Sequence, residues 1–235
     1  MKRLLLILLP LFISVGFSQQ KWNKKFMTEY NGLIFSPNSD KPYTGIVFVL
    51  NDNGQKKIEE SYKNGKKEYQ GWYRDEKKSG LWTFWNDNGQ KIKEVIWNDN
   101  GQKIKEVNWK DGNEHGLKTT WYDNGKKKEV ENYKNGEKDG PISEYFENGQ
   151  KRFEGNTKDG ELNGFFTRWY KNGQKREESI YKDGEEDGLW TYWYPSGQKL
   201  NENTYKDGEL ISEKCWDGNG NECDDCDKWS KWGCD

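Results

Sequence analysis

Glycine recurs along this chain at an interval of 24 residues, and this interval constrains the fold more than any other feature. Three series keep the interval: Gly116, Gly140, Gly164 and Gly188; Gly101, Gly125, Gly149, Gly173 and Gly197; and Gly112, Gly136, Gly160, Gly184 and Gly208. A self-similar period of this length is typical of repeat proteins, in which each unit packs only against its neighbours. The sequence therefore predicts a repeat array.

Each unit opens with a segment in which two kinds of residue alternate, as in GLWTYWYPSG from Gly188. Leu189, Thr191 and Trp193 alternate with aromatic residues, and a period of two predicts a β-strand. The Asn-Gly or related pair that follows is expected to take positive φ at both residues in a tight hairpin turn. A second strand comes next, so each unit is a predicted β-hairpin.

Lys-Asp-Gly-Glu segments lead from one hairpin to the next. The predicted fold class is therefore all-β, an elongated and twisted antiparallel β-meander in which each strand pairs with its sequence neighbours. About 14 strands at about 4.8 Å each make a sheet about 65 Å long. Sheets of more than about ten strands curl.

One stretch interrupts the period. The segment NDNGQKIKEVIW, residues 86–97, is followed at once by NDNGQKIKEVNW, residues 98–109. This duplication adds one strand without its partner, so a working register requires interchangeable strand types or a local bulge. We expect the second copy, or the junction near Asn98, to be the least regular part of the array.

The N-terminus has the features of a secretory signal peptide over residues 1–18. Lys2 and Arg3 precede an apolar run over residues 4–15, and small residues stand at Gly16 and Ser18. We expect an exported protein that is periplasmic or extracellular after cleavage. No later segment approaches the roughly 20 apolar residues of a membrane helix, so no membrane span is expected.

Beyond the signal peptide, the sequence predicts three regions. They are an N-terminal lead-in segment (19–42), the repeat array (43–214) and a Cys-rich C-terminal cap (215–235). Only 31% of residues are apolar, but the 13 Trp, 13 Tyr and 10 Phe recur in register with the glycines and are predicted to form the core. Lys and Glu alternate and the net charge is −2, so the basic stripe of a nucleic-acid-binding protein is missing.

The unit G-(L/F)-x-T-x-W-Y-x-N-G-Q-K-x-x-E-x-x-Y-K-D-G resembles the MORN-repeat variant, and the arrangement is similar to the YwqK-type antitoxin family. The segment KPYTGIVFVLNDNGQKK, residues 41–57, resembles the opening unit of that family. The resemblance covers about residues 43–214. It implies an extended sheet of hairpins that binds another macromolecule, with a toxin-neutralising or immunity-like role implied by the family label.

Catalytic signals are weak. The single histidine, His115, lies in the connection between Gly112 and Gly116, where an exposed loop residue is the favoured interpretation over a Ser-His-Asp arrangement. The second strands carry a glutamate column, which is expected to face solvent or to pair with lysines of neighbouring strands. The column comprises Glu59, Glu94, Glu106, Glu154, Glu178 and Glu202. We therefore expect no enzyme, no cofactor and no catalytic metal.

Four cysteines near the C-terminus follow the spacing C-x7-C-x2-C-x7-C: Cys215, Cys223, Cys226 and Cys234. Four thiolates around a central CxxC fit a tetrahedral zinc ion. Export into an oxidising compartment favours two disulfides instead, with three pairings open. A crosslinked tail would cover the unpaired edge of the last strand.

Even-numbered positions of the first strands carry the aromatic residues with which a partner could be bound. They are Trp82, Phe84, Phe166, Trp190, Tyr192 and Tyr194. If the Leu/Thr/Trp side packs inward, these rings form an exposed ladder for a protein strand, a glycan or lipid headgroups. Alternatively, they pack along their own face against Lys and Glu stems. The predicted function is a non-enzymatic scaffold that binds a protein, with envelope glycan or lipid binding as the alternative.

Overall fold

The structure is a computed structural model that describes residues 21–224 and Cys226. The predicted signal peptide and Cys234 lie outside the described residues and stay predictions. None of the helices in the described part has the length and apolar character to span a bilayer.

The N-terminal segment contains three short strands and one 3₁₀ helix. These are β1 (Trp22–Asn23), the 3₁₀ helix (Lys24–Phe26), β2 (Thr28–Tyr30) and β3 (Leu33–Phe35). The array follows as β4 (Gly45–Leu50), β5 (Lys56–Lys63), β6 (Lys66–Arg74), β7 (Lys77–Trp85), β8 (Lys91–Trp97), β9 (Lys103–Lys110), β10 (Asn113–Trp121), β11 (Lys127–Lys134), β12 (Glu137–Lys138), β13 (Gly140–Tyr145), β14 (Lys151–Lys158), β15 (Glu161–Leu162), β16 (Gly164–Trp169), β17 (Lys175–Lys182), β18 (Glu185–Glu186), β19 (Gly188–Trp193), β20 (Lys199–Lys206) and β21 (Glu209–Cys215).

The array is one long antiparallel meander, as predicted. From β4 to β21, each hairpin strand pairs with the strand before it and the strand after it along the chain, within a 19-stranded sheet. The short strands β12, β15 and β18 are the beginnings of strands that continue as β13, β16 and β19. Strand β1 adds to the sheet in parallel with β4, with Trp22 opposite Val47.

The two kinds of turn differ from the prediction. In the turn between the first and second strands of each hairpin, only the glycine has positive φ, as at Gly173 (88°). That turn is longer, and Gln174 N–H donates to Asn172 Oδ1 at 3.0 Å. The two-residue turn with positive φ at both positions lies between units instead, as at Asp183 (48°) and Gly184 (86°). The strand reversals were predicted, but the tight turn was assigned to the wrong connection.

One connection between units lacks glycine, and this suggests a stabilising change. Asp75 and Glu76 have φ of 47° and 60°, and a left-handed conformation costs an L-residue roughly 1–2 kcal/mol. We expect Glu76→Gly to raise the free energy of unfolding by about 1 kcal/mol in a urea titration. The converse change, Gly184→Glu, should lower it by a similar amount; a neutral result for both would contradict the explanation.

The duplicated half-unit pairs without disturbing the array, so the expected irregularity at Asn98 is wrong. Strands β8 and β9 are of the same type and pair with Val95 opposite Glu106. Their register shift lies between Ile96 and Trp97, close to the turn, as it does in the other hairpins. Two strands of the kind that follows the turn in each hairpin can therefore pair with each other, as a first and a second strand normally do. This interchangeability is one of the two conditions that the sequence left open.

This pairing moves the core from one face of the sheet to the other. Face 1 is defined as the face that carries Trp82, and cross-strand partners keep it through Val95 and Glu106 to Thr191. Because neighbouring residues point to opposite faces, Trp190 lies on the other face, face 2. The buried residues Trp82 and Val95 lie on face 1, whereas Val107, Ile142, Phe166 and Trp190 lie on face 2.

The lead-in segment packs against the first hairpin of the array. Ile34 and Tyr43 form a buried cluster with Val47 and Tyr62, and Trp22 and Met27 pack against it. Val47 is fully buried. The start of the array is thus covered by residues from outside the repeats.

The C-terminal tail contains the predicted disulfide chemistry. Cys215 is bonded to Cys226, and Cys223 is also disulfide-bonded. The tail reverses at residues 217–221, and Cys223 N–H donates to Cys215 O at 2.9 Å. The described part of the tail therefore pairs with the end of β21, which agrees with the preference for disulfides over zinc.

Candidate functional site

The predicted aromatic ladder is not an exposed surface. Trp82 and Phe166 are each 2% exposed and Trp190 is 4% exposed, while Phe84, Tyr192 and Tyr194 are half-buried. The premise that these rings face outward is wrong. They pack along their own faces, which is the alternative that the sequence left open.

Small residues on the preceding strand make this packing possible. A Cβ atom on Gly71 would lie 1.9 Å from Trp82 Cδ2, and one on Gly155 would lie 2.5 Å from Phe166 Cδ1. Ser179, only 1% exposed, occupies the corresponding position beside Trp190. Each ring thus covers a small residue in the neighbouring strand, and this contact decides which side of the first strand is buried.

Further ring contacts complete the core on each face. Tyr69 stacks on Trp82 on face 1 with centroids 5.7 Å apart. On face 2, the rings of Phe166 and Tyr181 are 5.0 Å apart, and those of Tyr181 and Trp190 are 4.9 Å apart. The core of this sheet therefore consists of aromatic residues from adjacent strands.

The glutamate column forms ion pairs, mainly within its own strand rather than with neighbouring strands. Each glutamate meets a lysine three residues earlier, and the pairs are Lys56–Glu59, Lys91–Glu94, Lys103–Glu106, Lys151–Glu154, Lys175–Glu178 and Lys199–Glu202. The same lysines lie over rings, as Lys199 does 5.0 Å from the Trp216 centroid. The column thus has a structural explanation.

His115 lies within strand β10 and is partly buried, so its assignment to an exposed loop is wrong. Its Nδ1 accepts a long hydrogen bond of 3.5 Å from Asn135 N–H, next to the following turn. Residues 21–224 with Cys226 contain no group of three or more His, Cys, Asp or Glu side chains placed to hold a metal ion.

One exposed apolar surface lies on the Leu/Thr/Trp side of the first strands, which was predicted to face the interior. Phe165 is 77% exposed, Leu117 is 50% and Leu189 is 48%, and Pro141 is also exposed at the equivalent position. All four lie on face 1, opposite the buried rings of the same strands. Ile180, opposite Phe165 in the adjacent strand, joins Phe165 to Leu189. We call these five residues the apolar row.

The sequence contains a signal for the apolar row that alternation alone does not reveal. An apolar residue follows the opening glycine of each unit at the 24-residue interval. Alternation alone could not separate this residue from the core, because both sides of the strand carry apolar side chains.

Comparison with family models identifies four MORN repeat variant segments in the array, at residues 114–135, 138–159, 162–183 and 186–207. The repeat prediction is thus confirmed for this part, whereas the similarity to YwqK-type antitoxins stays a prediction. A search of curated proteins found no match. A solved structure described as "Crystal structure of GtfA/B complex bound to UDP and GlcNAc" aligns with 54% of this chain and 29% of that chain, at 16% identity and a TM-score of 0.32.

Proposed function

We propose that this protein is an exported, non-enzymatic repeat scaffold that binds another protein through the apolar row. The observation that supports this proposal is Phe165, a phenylalanine that is 77% exposed at the centre of the row. Asn132 and Asn156 stand between Leu117, Pro141 and Phe165, so the continuous apolar part of the row runs from Phe165 through Ile180 to Leu189. Contiguous exposed apolar patches on soluble domains mark interaction sites. Aromatic anchors surrounded by smaller contacts dominate the binding energy of protein interfaces.

The dimensions of the row favour a protein partner. Leu117 and Leu189 lie six strand spacings apart, or about 29 Å, and the described residues between them belong to four successive repeats. A surface of this length matches the side of a small protein or an extended segment. Glycan or lipid binding depended on a ladder of exposed rings, and those rings are largely buried.

Export and the identity of the partner have separate support. The predicted signal peptide and the Cys215–Cys226 disulfide are consistent with an oxidising compartment. The resemblance to YwqK-type antitoxins suggests a toxin as the partner, and an exported neutraliser would meet a toxin outside the cytoplasm.

A charge at the centre of the row should abolish binding. We expect Phe165→Asp to reduce retention of the bound polypeptide at least tenfold in pull-downs from envelope extract, because a carboxylate would be desolvated in the interface. The matched control is Leu81→Asp. Leu81 holds the same repeat position but lies on face 2, and it is 41% exposed.

Retention that is lost in Phe165→Asp and kept in Leu81→Asp would support the proposal. Equal retention by both variants, or retention of cell-wall sugars or vesicles instead of a polypeptide, would contradict it. Both variants should unfold at the temperature of the parent protein, since both side chains are exposed.

A further inference from the structure

Tyrosine hydroxyls connect the turns along one edge of the sheet in the later repeats. The bonds run from Tyr122 Oη to Tyr145 O (2.7 Å), from Tyr170 Oη to Trp193 O (2.8 Å) and from Tyr194 Oη to Trp216 O (3.2 Å). The turn that lies between those of Tyr122 and Tyr170 carries Phe146 at the position that tyrosine occupies in those two turns. Phenylalanine has no hydroxyl, so the equivalent bond to Trp169 O cannot form. One junction between turns is therefore less tightly closed than its neighbours.

A cleft of about 590 Å³ opens at this junction. Its walls include Phe146, Phe153 and Trp169, and it also contains four cationic side chains: Arg152, Arg168, Lys171 and Arg176. Arg168 is the cross-strand partner of Phe153, and both lie on face 2. Trp169 follows Arg168 and lies on face 1, where Lys151 contacts its ring, so the cleft lies at the turn edge of the sheet. None of its lining residues belongs to the apolar row.

Arginine is concentrated at this cleft. Only five of the 38 basic residues in the sequence are arginine, and three of those five line the cleft. In the following repeat, the positions of Arg168, Lys171 and Arg176 are occupied by Tyr192, Pro195 and Leu200. The repeat fold therefore does not require positive charge at these positions.

The positive charge of the cleft is only partly neutralised. Arg168 Nη1 lies 2.8 Å from Glu177 Oε2, and Arg152 Nη1 lies 3.4 Å from Glu144 Oε2. Among the residues that the structure describes, no carboxylate pairs with Arg176 or Lys171. Guanidinium groups bind carboxylate and phosphate groups through parallel hydrogen bonds, and several donors remain available here.

We propose that this cleft binds a small acidic sugar. The arginines would bind its carboxylate or phosphate, and the ring of Phe153, which lies on the same face as Arg168, would pack against the apolar face of the sugar. The volume lies within the range of small-ligand pockets, about 300–1,000 Å³. The site is independent of the proposed protein partner, because it shares no lining residue with the apolar row.

Titration calorimetry on the full mature chain would test the site with glucuronate and glucose 6-phosphate. We expect one of them to bind at one site per chain, at least tenfold more tightly than glucose or inorganic phosphate. Arg176→Gln should weaken this binding at least tenfold. Phe146→Tyr, which restores the residue type of the neighbouring turns and allows the bond to Trp169 O, should weaken it at least fivefold.

Arg74→Gln is the matched control, because Arg74 pairs with Asp99 outside the cleft, and it should bind as the parent does. The proposal would be overturned if neither acidic sugar bound, or if inorganic phosphate bound as tightly as the sugar. It would also be overturned if either cleft variant kept the parent's affinity for the sugar, or if Arg74→Gln lost as much affinity as Arg176→Gln. Phe165→Asp should leave sugar binding unchanged, which separates this test from that of the protein-binding row.

Discussion

Replacing Gly71 with alanine is expected to lower the free energy of unfolding by about 3 kcal/mol, at the upper end of typical overpacking effects. The added Cβ would lie 1.9 Å from Trp82 Cδ2, so the ring would have to move. Tyr69 and Tyr73 flank this ring, with centroids 5.7 Å and 5.4 Å away. Trp82 Nε1 also donates to Trp72 O at 3.1 Å. Displacement would disrupt all of these contacts together.

Gly218→Ala is the control for this prediction, since a Cβ at Gly218 would meet nothing within 4 Å. It should change the free energy of unfolding by less than about 0.5 kcal/mol. Because repeat arrays unfold in parts, urea unfolding followed by tryptophan fluorescence should be combined with amide hydrogen exchange. Loss of protection should centre on β6 and β7. Similar stabilities of the two variants would show that Trp82 does not need a small residue beneath it.

The second large effect is expected at Glu60, a carboxylate that is only 2% exposed. Lys67 Nζ lies 2.7 Å from Glu60 Oε1, Lys24 Nζ lies 2.9 Å from Glu60 Oε2, and Tyr62 Oη donates to the same oxygen at 2.9 Å. Lys67→Met would leave the buried carboxylate with one cation. We expect the free energy of unfolding to fall by about 3 kcal/mol at pH 7.

The pH dependence of this loss follows from the pKa of Glu60. Burial raises that pKa, but hydrogen bonds and charges from Lys67 and Lys24 outweigh burial and hold it below its ordinary value. The folded-state pKa is therefore lower than the unfolded value of about 4.3. The stabilisation is complete above the unfolded pKa and is lost as pH falls through the folded pKa.

Unfolding of the parent and Lys67→Met proteins at pH 7 and pH 3 would measure both effects. The difference in free energy of unfolding between the parent and the variant should be largest at pH 7. It should be smaller at pH 3, where protonation of Glu60 begins to remove the need for a cation. Lys206→Met, which removes an exposed lysine paired with the half-buried Asp187, is the control and should change stability by less than about 1 kcal/mol. A difference that does not depend on pH would contradict the assignment to Glu60.

The candidate surfaces were less predictable than the strands. Phe165 and Phe166 are adjacent phenylalanines, yet one is 77% exposed and the other 2%. Composition cannot distinguish them, because the difference comes from Gly155 in the neighbouring strand, which leaves room for Phe166. The cleft beside Phe146 was also missed, since its opening depends on a hydroxyl that is absent from one turn and present in the turns around it.

The sequence by itself determined the all-β meander, the repeat length and the places where the chain reverses, because alternation and turn residues act over a few neighbouring positions. Only the tertiary structure decided which face is buried. That choice depends on cross-strand register: Val95 opposite Glu106 transfers the core from the face of Trp82 to the face of Trp190. In a single sheet whose two sides both carry apolar residues, a side chain is buried by what lies beside it on the next strand, and the strand's own pattern does not contain that information.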